Sequence, residues 1–482
     1  MRRAKPRHQP SVFSLDGRIH LAEIISALSF ALDLTEGAVH GHAVRSCLLG
    51  MRIAEEAQLP PGNRSDLYYA LLLKDVGCSS NAARMCQIVG GDDRAMKAGA
   101  KMIDWTQPHK PSLSTLKLLW KNVLPQANAA QRIARIVQMG RTQHKNNEAM
   151  ITLRCERGAN IMRKLEFSER AAEAVRSLDE HWDGSGYPDR LRGEDIPYLA
   201  RILAIAQHLD VFSTGESPQA AIDVLHERGG RWFDPKLVEV ATSLHRRGAL
   251  WNYCLPSDST DETRKAVVDL APGASYSLER QQIDQICEAF ADVVDAKSPF
   301  TFRHSIGVAN AAVNIAHWLR LPSEQMDFVR RAALLHDIGK LSVSNAILDK
   351  PGKLTPEEWE AVRGHPIQTR RILERIGAFR DLAKVAGEHH EKLDGTGYPD
   401  GLSGKQLSLE SRIIAVADVY GALSEDRPYR EGLSLEKIAG IMKKDVPGKL
   451  DARCFEALMD GLAVRDSDMV PSPSFSDEPS YA

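Results

Sequence analysis

Long apolar runs are absent from this chain of 482 residues. A membrane-spanning helix needs about 20 apolar residues, and the best candidate, Ile24 to Leu34, is interrupted by polar side chains. No signal-peptide pattern follows the basic start of the chain, because no apolar block comes directly after it. These absences predict a cytoplasmic protein with no membrane partner and a loose basic tail over residues 1–16.

A strong charge of one sign and closely spaced cysteines are absent too. The net charge is −2, whereas nucleic-acid-binding domains are usually strongly basic, so we expect no DNA or RNA partner. The seven cysteines are scattered, odd in number and never spaced as CxxC. This pattern is typical of reduced thiols in the cytoplasm and argues against a cysteine-type zinc site.

Alternating strand patterns are scarce, whereas apolar residues recur at three- and four-residue intervals through most of the chain. The segments Ile283 to Val294 and Ala311 to Leu319 are examples of this helical spacing. The hydrophobic content of 43% and charged content of 26% are those of globular proteins, and the length favours two or three domains. The sequence therefore predicts an all-α protein.

The two halves of the chain repeat each other. Residues 69–77 align with 331–339 at an offset of 262, and residues 183–189 align with 394–400 at an offset of 211. The difference, 262 − 211 = 51, places about 51 extra residues in the first copy. Two long matches with consistent offsets indicate duplication of one helical domain. The expected units are a first domain over 17–250 with an insert at about 79–153, a linker over 251–278, a second domain over 279–465 and a disordered tail over 466–482.

The second copy contains a cluster of candidate metal ligands. The run His336-Asp337-Ile338-Gly339-Lys340 is followed by His365, His389, His390 and Asp418. Imidazole and carboxylate groups are good ligands for Fe, Mn, Zn and Co, and a two-metal site stabilises both oxygens of an in-line phosphoryl displacement. The pattern predicts a two-metal hydrolytic site bridged by Asp337. A helical turn would direct Lys340 to the same face, where its ammonium would neutralise a phosphate oxygen.

These residues resemble the HD-GYP family, a branch of the HD metal-phosphohydrolase superfamily. The resemblance extends over roughly residues 281–445, and its motifs include His304, Asp394 to Pro399, and Arg427 to Arg430. It implies two tandem HD-type helical bundles joined by a linker. It also implies hydrolysis of cyclic di-GMP to linear pGpG, and in some members to GMP. Cyclic GMP-AMP as the substrate, or a non-catalytic cyclic-dinucleotide receptor, remain alternatives.

The resemblance assigns roles to individual positions. The implied metal ligands are His304, His336, Asp337, His365, His389, His390 and Asp418. The implied substrate contacts are Lys340 on the scissile phosphate, with Gly397, Tyr398, Pro399, Arg427 and Arg430 around it. Two divalent ions are expected, Fe or Mn first, with Zn, Co and Ni as alternatives. A third metal would need a glutamate where this chain has Phe300.

The first copy lacks most of these groups. By the two offsets, only His42 and Asp75 are retained, and the replacements are Lys74 for His336, Cys78 for Lys340, Arg154 for His365, Leu178 and Asp179 for His389 and His390, and Gln207 for Asp418. A lysine ammonium repels a metal ion, so we expect no hydrolysis there. The favoured role is a structural, homodimerising or protein-binding partner. The alternative is a small-ligand sensor in which the insert, with its basic stretch Arg141 to Asn147, forms a lid or contact arm.

Overall fold

The computed structural model describes residues 19–104, 113–252, 254, 260–272, 278–299, 303–425 and 431–467. These residues form helices and turns, with two isolated bridges and no strand, which confirms the all-α prediction. Within the same ranges, no helix is both long and apolar enough to cross a bilayer. The predictions for residues 1–16, for most of 466–482, and for Phe300, Arg427 and Arg430 lie outside the described residues.

The α-helices are numbered in chain order, and the longest segments between them within the described residues are 177–197 and 388–408. In the first half they are α1 (Leu21–Glu36), α2 (His42–Glu56), α3 (Pro61–Leu73), α4 (Ala82–Val89), α5 (Asp93–Ala100), α6 (Leu113–Asn122), α7 (Ala129–Lys164), α8 (Glu169–Arg176), α9 (Tyr198–Gly215), α10 (Pro218–Arg228) and α11 (Pro235–Arg246). They continue as α12 (Thr260–Asp269), α13 (Arg280–Asp295), α14 (His304–Trp318), α15 (Ser323–Leu335), α16 (Asn345–Leu348), α17 (Pro356–Arg363), α18 (His365–Leu373), α19 (Arg380–Gly387), α20 (Leu409–Ser424), α21 (Leu435–Met442) and α22 (Ala452–Ser467). Short 3-10 helices lie at Cys78–Asn81, Gly193–Asp195, Ile338–Ser342 and Gly377–Phe379.

The helix α12 lies inside the segment expected to be a linker. The side chains of Thr263 and Val267 are buried, and the Tyr68 hydroxyl donates a hydrogen bond of 2.9 Å to the Val267 carbonyl oxygen. The Pro-, Ser- and Thr-rich composition around this segment did not predict a helix, because only two of the helix positions are fully buried. This part of the connection is therefore packed against the first half.

The same carboxylate hydrogen bonds recur where the second helix of each half begins. Asp33 accepts from the backbone N–H groups of Gly41 at 2.9 Å and Ala43 at 3.0 Å. Asp295 accepts from the backbone N–H of Ser305 at 3.1 Å and from its hydroxyl at 2.6 Å. Such contacts satisfy the free N–H groups of a helix start. The pairs are related by 295 − 33 = 262 and 305 − 43 = 262, the offset read from the sequence.

A glycine in each half lets two chain segments meet at close range. A Cβ atom on Gly339 would lie 2.0 Å from the carbonyl oxygen of His365, and one on Gly77 would lie 2.0 Å from that of Arg154. No side chain fits either approach. The start of α18 therefore crosses directly behind the turn that follows α15, and α7 crosses behind the turn that follows α3. Arg154 therefore occupies, in the first half, the position that His365 occupies in the second half, as the offset of 211 predicts.

The two halves contact each other through equivalent elements. Helix α1 packs on the 3-10 helix Ile338–Ser342 and on α18, whereas α13 packs on the 3-10 helix Cys78–Asn81 and on α7. Each half thus packs its first helix against the turn of the other half that follows the His-Asp motif or its counterpart. This turn, the 3-10 helix Ile338–Ser342 or Cys78–Asn81, is called the motif turn. The core is continuous across this contact, and a separate small core of Val89, Met96 and Val123 lies in the insert.

Candidate metal centre

The seven predicted ligands come from separate helices and converge at one place. His304 begins α14, His365 begins α18, and Asp418 lies in α20, whereas the other four follow the ends of α15 and α19. Six of the seven are buried, and only His390 is partly exposed. Six of the seven predicted ligands therefore lie at the start of a helix or just beyond its end.

The Asp337 carboxylate lies between two pairs of imidazoles. Its Oδ2 atom is 3.2 Å from His336 Nε2 and 3.6 Å from His304 Nε2. Its Oδ1 atom is 3.2 Å from His365 Nε2 and 3.7 Å from His389 Nε2. Each oxygen faces a different pair of nitrogens, which is the arrangement that a carboxylate needs to bridge two ions.

A second carboxylate, Asp418, completes the two sets. Its Oδ1 atom is 3.4 Å from His304 Nε2 and 3.7 Å from His336 Nε2, and its Oδ2 atom is 3.6 Å from His390 Nδ1. Among the predicted ligands, three groups have ligand atoms within 4.8 Å of one another: His304 with His336 and Asp418, His365 with His389 and His390, and His336 with Asp337 and His389, which joins the other two. Such mixed nitrogen and oxygen donor groups fit divalent transition metals.

Backbone carbonyls fix the orientation of three of the histidines. The Nδ1 atoms of His336, His365 and His389 each lie 2.6 Å from the carbonyl oxygen of the residue three positions earlier. Nδ1–H donates to that oxygen, so Nε2 is the ring nitrogen directed at the cluster. Among the described residues, His336 Nε2 and Asp337 Oδ1 are buried atoms without a hydrogen-bond partner. These orphaned atoms fit a metal-binding role.

The protonation of the doublet His389-His390 favours ligation. Burial lowers the pKa of His390 to about 3, although Asp418 opposes this shift. Burial also lowers the pKa of His389 well below its usual range, and the neighbouring imidazoles add to the effect. Both rings are therefore neutral near pH 7, and a neutral imidazole is the form that binds metal.

The carboxylates make the centre strongly negative. Burial raises the pKa of Asp337, but His336 and Lys340 outweigh it and hold this pKa well below the usual range. Burial lowers the pKa of His336, but Asp337 and Asp418 outweigh it and raise the value to about 10. A site that holds a proton this tightly attracts a cation, which a divalent metal would supply.

Lys340 lies beside the same carboxylate. Its Nζ atom is 2.5 Å from Asp337 Oδ2, and its side chain is 21% exposed. We expected a helical turn here, and the turn is the 3-10 helix Ile338–Ser342, in which positions three apart lie one above the other. The ammonium therefore faces the cluster from its solvent side.

The predicted substrate loop lies next to His390. The Tyr398 ring is 4.8 Å from the His390 ring between centroids, and the Tyr398 N–H donates to the His390 carbonyl oxygen at 3.2 Å. The Arg363 guanidinium lies 5.0 Å from the centroid of the Tyr398 ring. A Cβ atom on Gly397 would lie 2.5 Å from the preceding backbone, so only glycine fits, and a cis bond joins Tyr398 to Pro399. This loop brings an aromatic ring and a cation to the edge of the candidate site.

Glu391 anchors that loop, a role that the sequence did not indicate. Its carboxylate accepts from the backbone N–H groups of Asp400 at 2.7 Å, Gly401 at 3.1 Å and Leu402 at 2.8 Å. Glu180, at 391 − 211 = 180, makes the same kind of contact in the first half, with N–H bonds of 2.6 and 2.9 Å. The first half keeps this glutamate although it lacks most of the predicted metal ligands, and this indicates that the glutamate has a structural role.

Two further residues were missed. The Glu425 Oε2 atom lies 2.8 Å from His304 Nδ1 and orients that ring. The Thr369 hydroxyl donates to the His336 carbonyl oxygen at 2.8 Å and accepts from the Gly339 N–H at 3.0 Å, so it ties the motif turn to α18. Glu425 and Thr369 are each far in sequence from the predicted ligand that they contact, which is His304 for Glu425 and His336 for Thr369.

In the first half, side-chain cations occupy the equivalent place. Lys74 Nζ is 2.8 Å from His42 Nε2 and forms an ion pair with Asp75. Lys101, from the insert, is 3.3 Å from Asp75 and 3.0 Å from Glu36. These ammonium groups neutralise the carboxylates that could otherwise attract a metal ion.

A second internal ion pair replaces the other donor set. Arg154 and Asp179, at the positions of His365 and His390, bind each other. Burial lowers the pKa of His42 to about 4, and Lys74 lowers it further. In the described part of the first half, four counterparts of the predicted metal ligands thus form two ion pairs, Lys74 with Asp75 and Arg154 with Asp179.

Comparison with known proteins places the chain in a family. The HD domain family model matches residues 111–237 and 288–454. The chain is 40% identical to 3'3'-cGAMP-specific phosphodiesterase 3 of Vibrio cholerae over 95% of this chain and 98% of that protein. It is 32% identical to a cyclic di-GMP phosphodiesterase of Pseudomonas aeruginosa over 57% of this chain and 64% of that protein.

A solved structure agrees with the sequence relatives. The crystal structure of a cyclic GMP-AMP-specific phosphodiesterase of V. cholerae, V-cGAP3, matches 93% of this chain and 99% of that chain with a TM-score of 0.62 and 37% identity. Both halves are included in this match, so the tandem helical architecture is shared. The chain therefore belongs to the HD-domain family and is a metal-dependent cyclic-dinucleotide phosphodiesterase of the HD-GYP type.

Proposed function

We propose that this phosphodiesterase hydrolyses 3'3'-cyclic GMP-AMP in preference to cyclic di-GMP. The observation that carries this proposal is the 40% identity, across both halves, to a protein named as specific for 3'3'-cGAMP. Cyclic di-GMP, the substrate expected from the sequence, is the second candidate, because relatives that match a smaller share of the chain are named for it. Linear dinucleotide is the expected product; further cleavage would give GMP and AMP from 3'3'-cGAMP, or GMP alone from cyclic di-GMP.

The geometry supports two ions with Asp337 between them. One ion would be held by His304, His336, Asp418 and Asp337 Oδ2, and the other by His365, His389, His390 and Asp337 Oδ1. When bound, two divalent ions supply an activated water and polarise the scissile phosphate. Fe and Mn remain the favoured ions for this donor set, with Zn, Co and Ni as alternatives.

The remaining residues bind and orient the substrate. Lys340, held beside Asp337 Oδ2, neutralises a phosphate oxygen as the attacking oxygen adds, because negative charge grows there. The Tyr398 ring, held by the loop Gly397–Pro399, offers a face for a purine base beside the Arg363 guanidinium. Arg427 and Arg430 stay predicted phosphate contacts, since guanidinium pairs well with phosphate. Homodimer formation and protein partners of the first half also stay predictions.

A competition assay tests the substrate. Full-length protein of known metal content would be given equal amounts of 3'3'-cGAMP and cyclic di-GMP, and both linear products quantified. We expect faster loss of 3'3'-cGAMP, abolished by a chelator and restored by Mn or Fe. Preference for cyclic di-GMP would overturn the substrate proposal and leave the metal site standing. Full turnover after complete metal removal would overturn the metal site.

A further inference from the structure

The insert of the first half reaches the turn of the second half that carries Lys340. Helix α5 begins in the insert, and its first two residues make the contact. The Asp93 Oδ1 atom accepts from the Ser344 hydroxyl at 3.0 Å and from the Asn345 N–H at 2.9 Å. The Arg94 guanidinium donates to the Ser342 carbonyl oxygen. Two residues of one half thus bind three polar groups of the other, on Ser342, Ser344 and Asn345.

This contact is buried and charged. The side chain of Asp93 is 0% exposed, and Lys97 Nζ on the same helix is 4.0 Å from its Oδ2 atom. Lys297, which follows α13, is 1% exposed, and its charge interacts with that of Asp93. A buried carboxylate is costly unless cations and hydrogen bonds compensate it. The Asp93 Oδ1 atom accepts two hydrogen bonds, and the Oδ2 atom, which has no hydrogen-bond partner among the described residues, is compensated by the charges of Lys97 and Lys297.

The contact is relayed to the segment that precedes α14. The Asn345 side-chain N–H groups donate to the Lys297 carbonyl oxygen at 2.7 Å and to Asp349 Oδ2 at 2.7 Å. The Ser298 hydroxyl donates to Asp349 Oδ1 at 2.5 Å. Asp93 therefore anchors a network that links the chain after the motif turn to the chain before the first ligand helix.

The two residues that Asp93 binds lie just beyond the 3-10 helix that carries Lys340. The Val343 N–H donates to the Lys340 carbonyl oxygen at 3.0 Å, and Ser344 follows Val343, two positions past the end of the 3-10 helix Ile338–Ser342. By the offset of 262, α5 aligns with residues 355–362, so its counterpart in the second half is α17, and Thr355 stands in the place of Asp93. The carboxylate that holds Ser344 and Asn345 is thus supplied by the first half.

We infer that Asp93 is a positioning residue for hydrolysis, acting through the Ser344–Asn345 segment to hold Lys340 over Asp337. The inference rests on the proposed role of Lys340 in the reaction. Without the Asp93 carboxylate, the start of α16 loses its acceptor, and the 3-10 helix before it gains freedom. Misplacement of a charge-stabilising group by a small distance lowers the rate of the chemical step more than it lowers substrate affinity.

The test compares two substitutions at this position in the full-length, metal-loaded protein. Asp93→Ala removes both hydrogen bonds, whereas the amide oxygen of Asp93→Asn can still accept them. We expect kcat to fall about tenfold in Asp93→Ala and less in Asp93→Asn, with KM and metal content unchanged. Asp269→Asn, at an exposed aspartate of α12, is the matched control and should keep the wild-type kcat. Equal kcat in wild type and Asp93→Ala would overturn the inference.

A double-mutant cycle separates positioning from general destabilisation. In a Lys340→Met background, measured by single-turnover kinetics with excess enzyme, Asp93→Ala should cause no further loss. Multiplicative losses would show that Asp93 does not act through Lys340 and would overturn the inference. Full activity of Lys340→Met alone would instead remove Lys340 from the proposed function, and the positioning role with it. Melting curves of all variants show whether each remains folded at the assay temperature.

Discussion

Lys74 Nζ lies 2.8 Å from His42 Nε2 in the first half, at the place where the second half has His336 beside His304. The ammonium is fully buried and ion-paired with Asp75. The first half therefore carries its own cation where the second half offers donor atoms for one. The same helical framework therefore has a side-chain cation at the centre of one half and candidate metal ligands at the centre of the other.

Replacement of this internal cation should destabilise the first half. Lys74→Met leaves the buried Asp75 carboxylate with one ammonium partner fewer, and breaking a buried ion pair costs about 3 kcal/mol. We expect a loss of this size in the free energy of unfolding measured by denaturant titration. Lys265→Met, at an exposed lysine of α12, is the control and should change stability little. A Lys74→Met protein as stable as this control would show that the ion pair contributes nothing net.

The two equivalent aspartates should differ in their effect on turnover. Asp337→Ala removes the carboxylate that faces both donor pairs, so we expect bound metal to fall and hydrolysis to drop by about a thousandfold or more. Asp75→Asn changes only the paired site of the first half, and kcat should stay near the wild-type value. Product formation and elemental analysis on both proteins check this division. Comparable loss of turnover in both variants would contradict it.

Much of the site could be predicted because the ligands are few in type and fixed in spacing. The sequence predicted that His304, His336, His365 and Asp418 share one site, and the structure brings these side chains together; the packing at Gly77 and Gly339 agrees with the predicted offsets. Asp93 could not be predicted as a neighbour of Ser344, because nothing local in the sequence records a contact across 251 positions. Glu425 and Thr369 were missed for the same reason.

Helix α12 was missed because of its composition. Residues 260–269 have few apolar positions, and their helix is stabilised by tertiary burial of Val267 rather than by an apolar pattern. Local sequence patterns therefore identified the candidate metal ligands and the helices with wide apolar faces. Contacts between the halves, and helices with a narrow buried face, became visible only in three dimensions.

Asp33 should give the stability of the protein a measurable pH dependence. Burial raises its pKa to about 7, while the unfolded chain keeps a value near 3.8. The folded state therefore binds the proton more tightly, so this group's stabilisation is complete below about pH 4 and is lost as pH rises toward 7. From pH 5 to pH 8, the free energy of unfolding of wild type relative to Asp33→Asn should fall by about 2 kcal/mol. Parallel pH profiles for the two proteins would contradict this assignment.

Glu425 should set the affinity of the ion nearest His304. Its carboxylate is 2.8 Å from His304 Nδ1, and partners of this kind fix the ring and raise the basicity of the ligating nitrogen. Glu425→Gln should weaken metal binding by about tenfold to a hundredfold, measured by competition with a chromophoric chelator. At saturating metal, most of the activity should return, because every ligand atom is still present.

Glu436→Gln, at an exposed glutamate of α21, is the matched control for this measurement. Its metal affinity should equal that of the wild type, because the side chain is open to solvent. If Glu425→Gln also binds metal with wild-type affinity, the His304 ring is oriented by its burial in α14 alone. A loss of activity that excess metal does not restore would instead place Glu425 in the reaction itself.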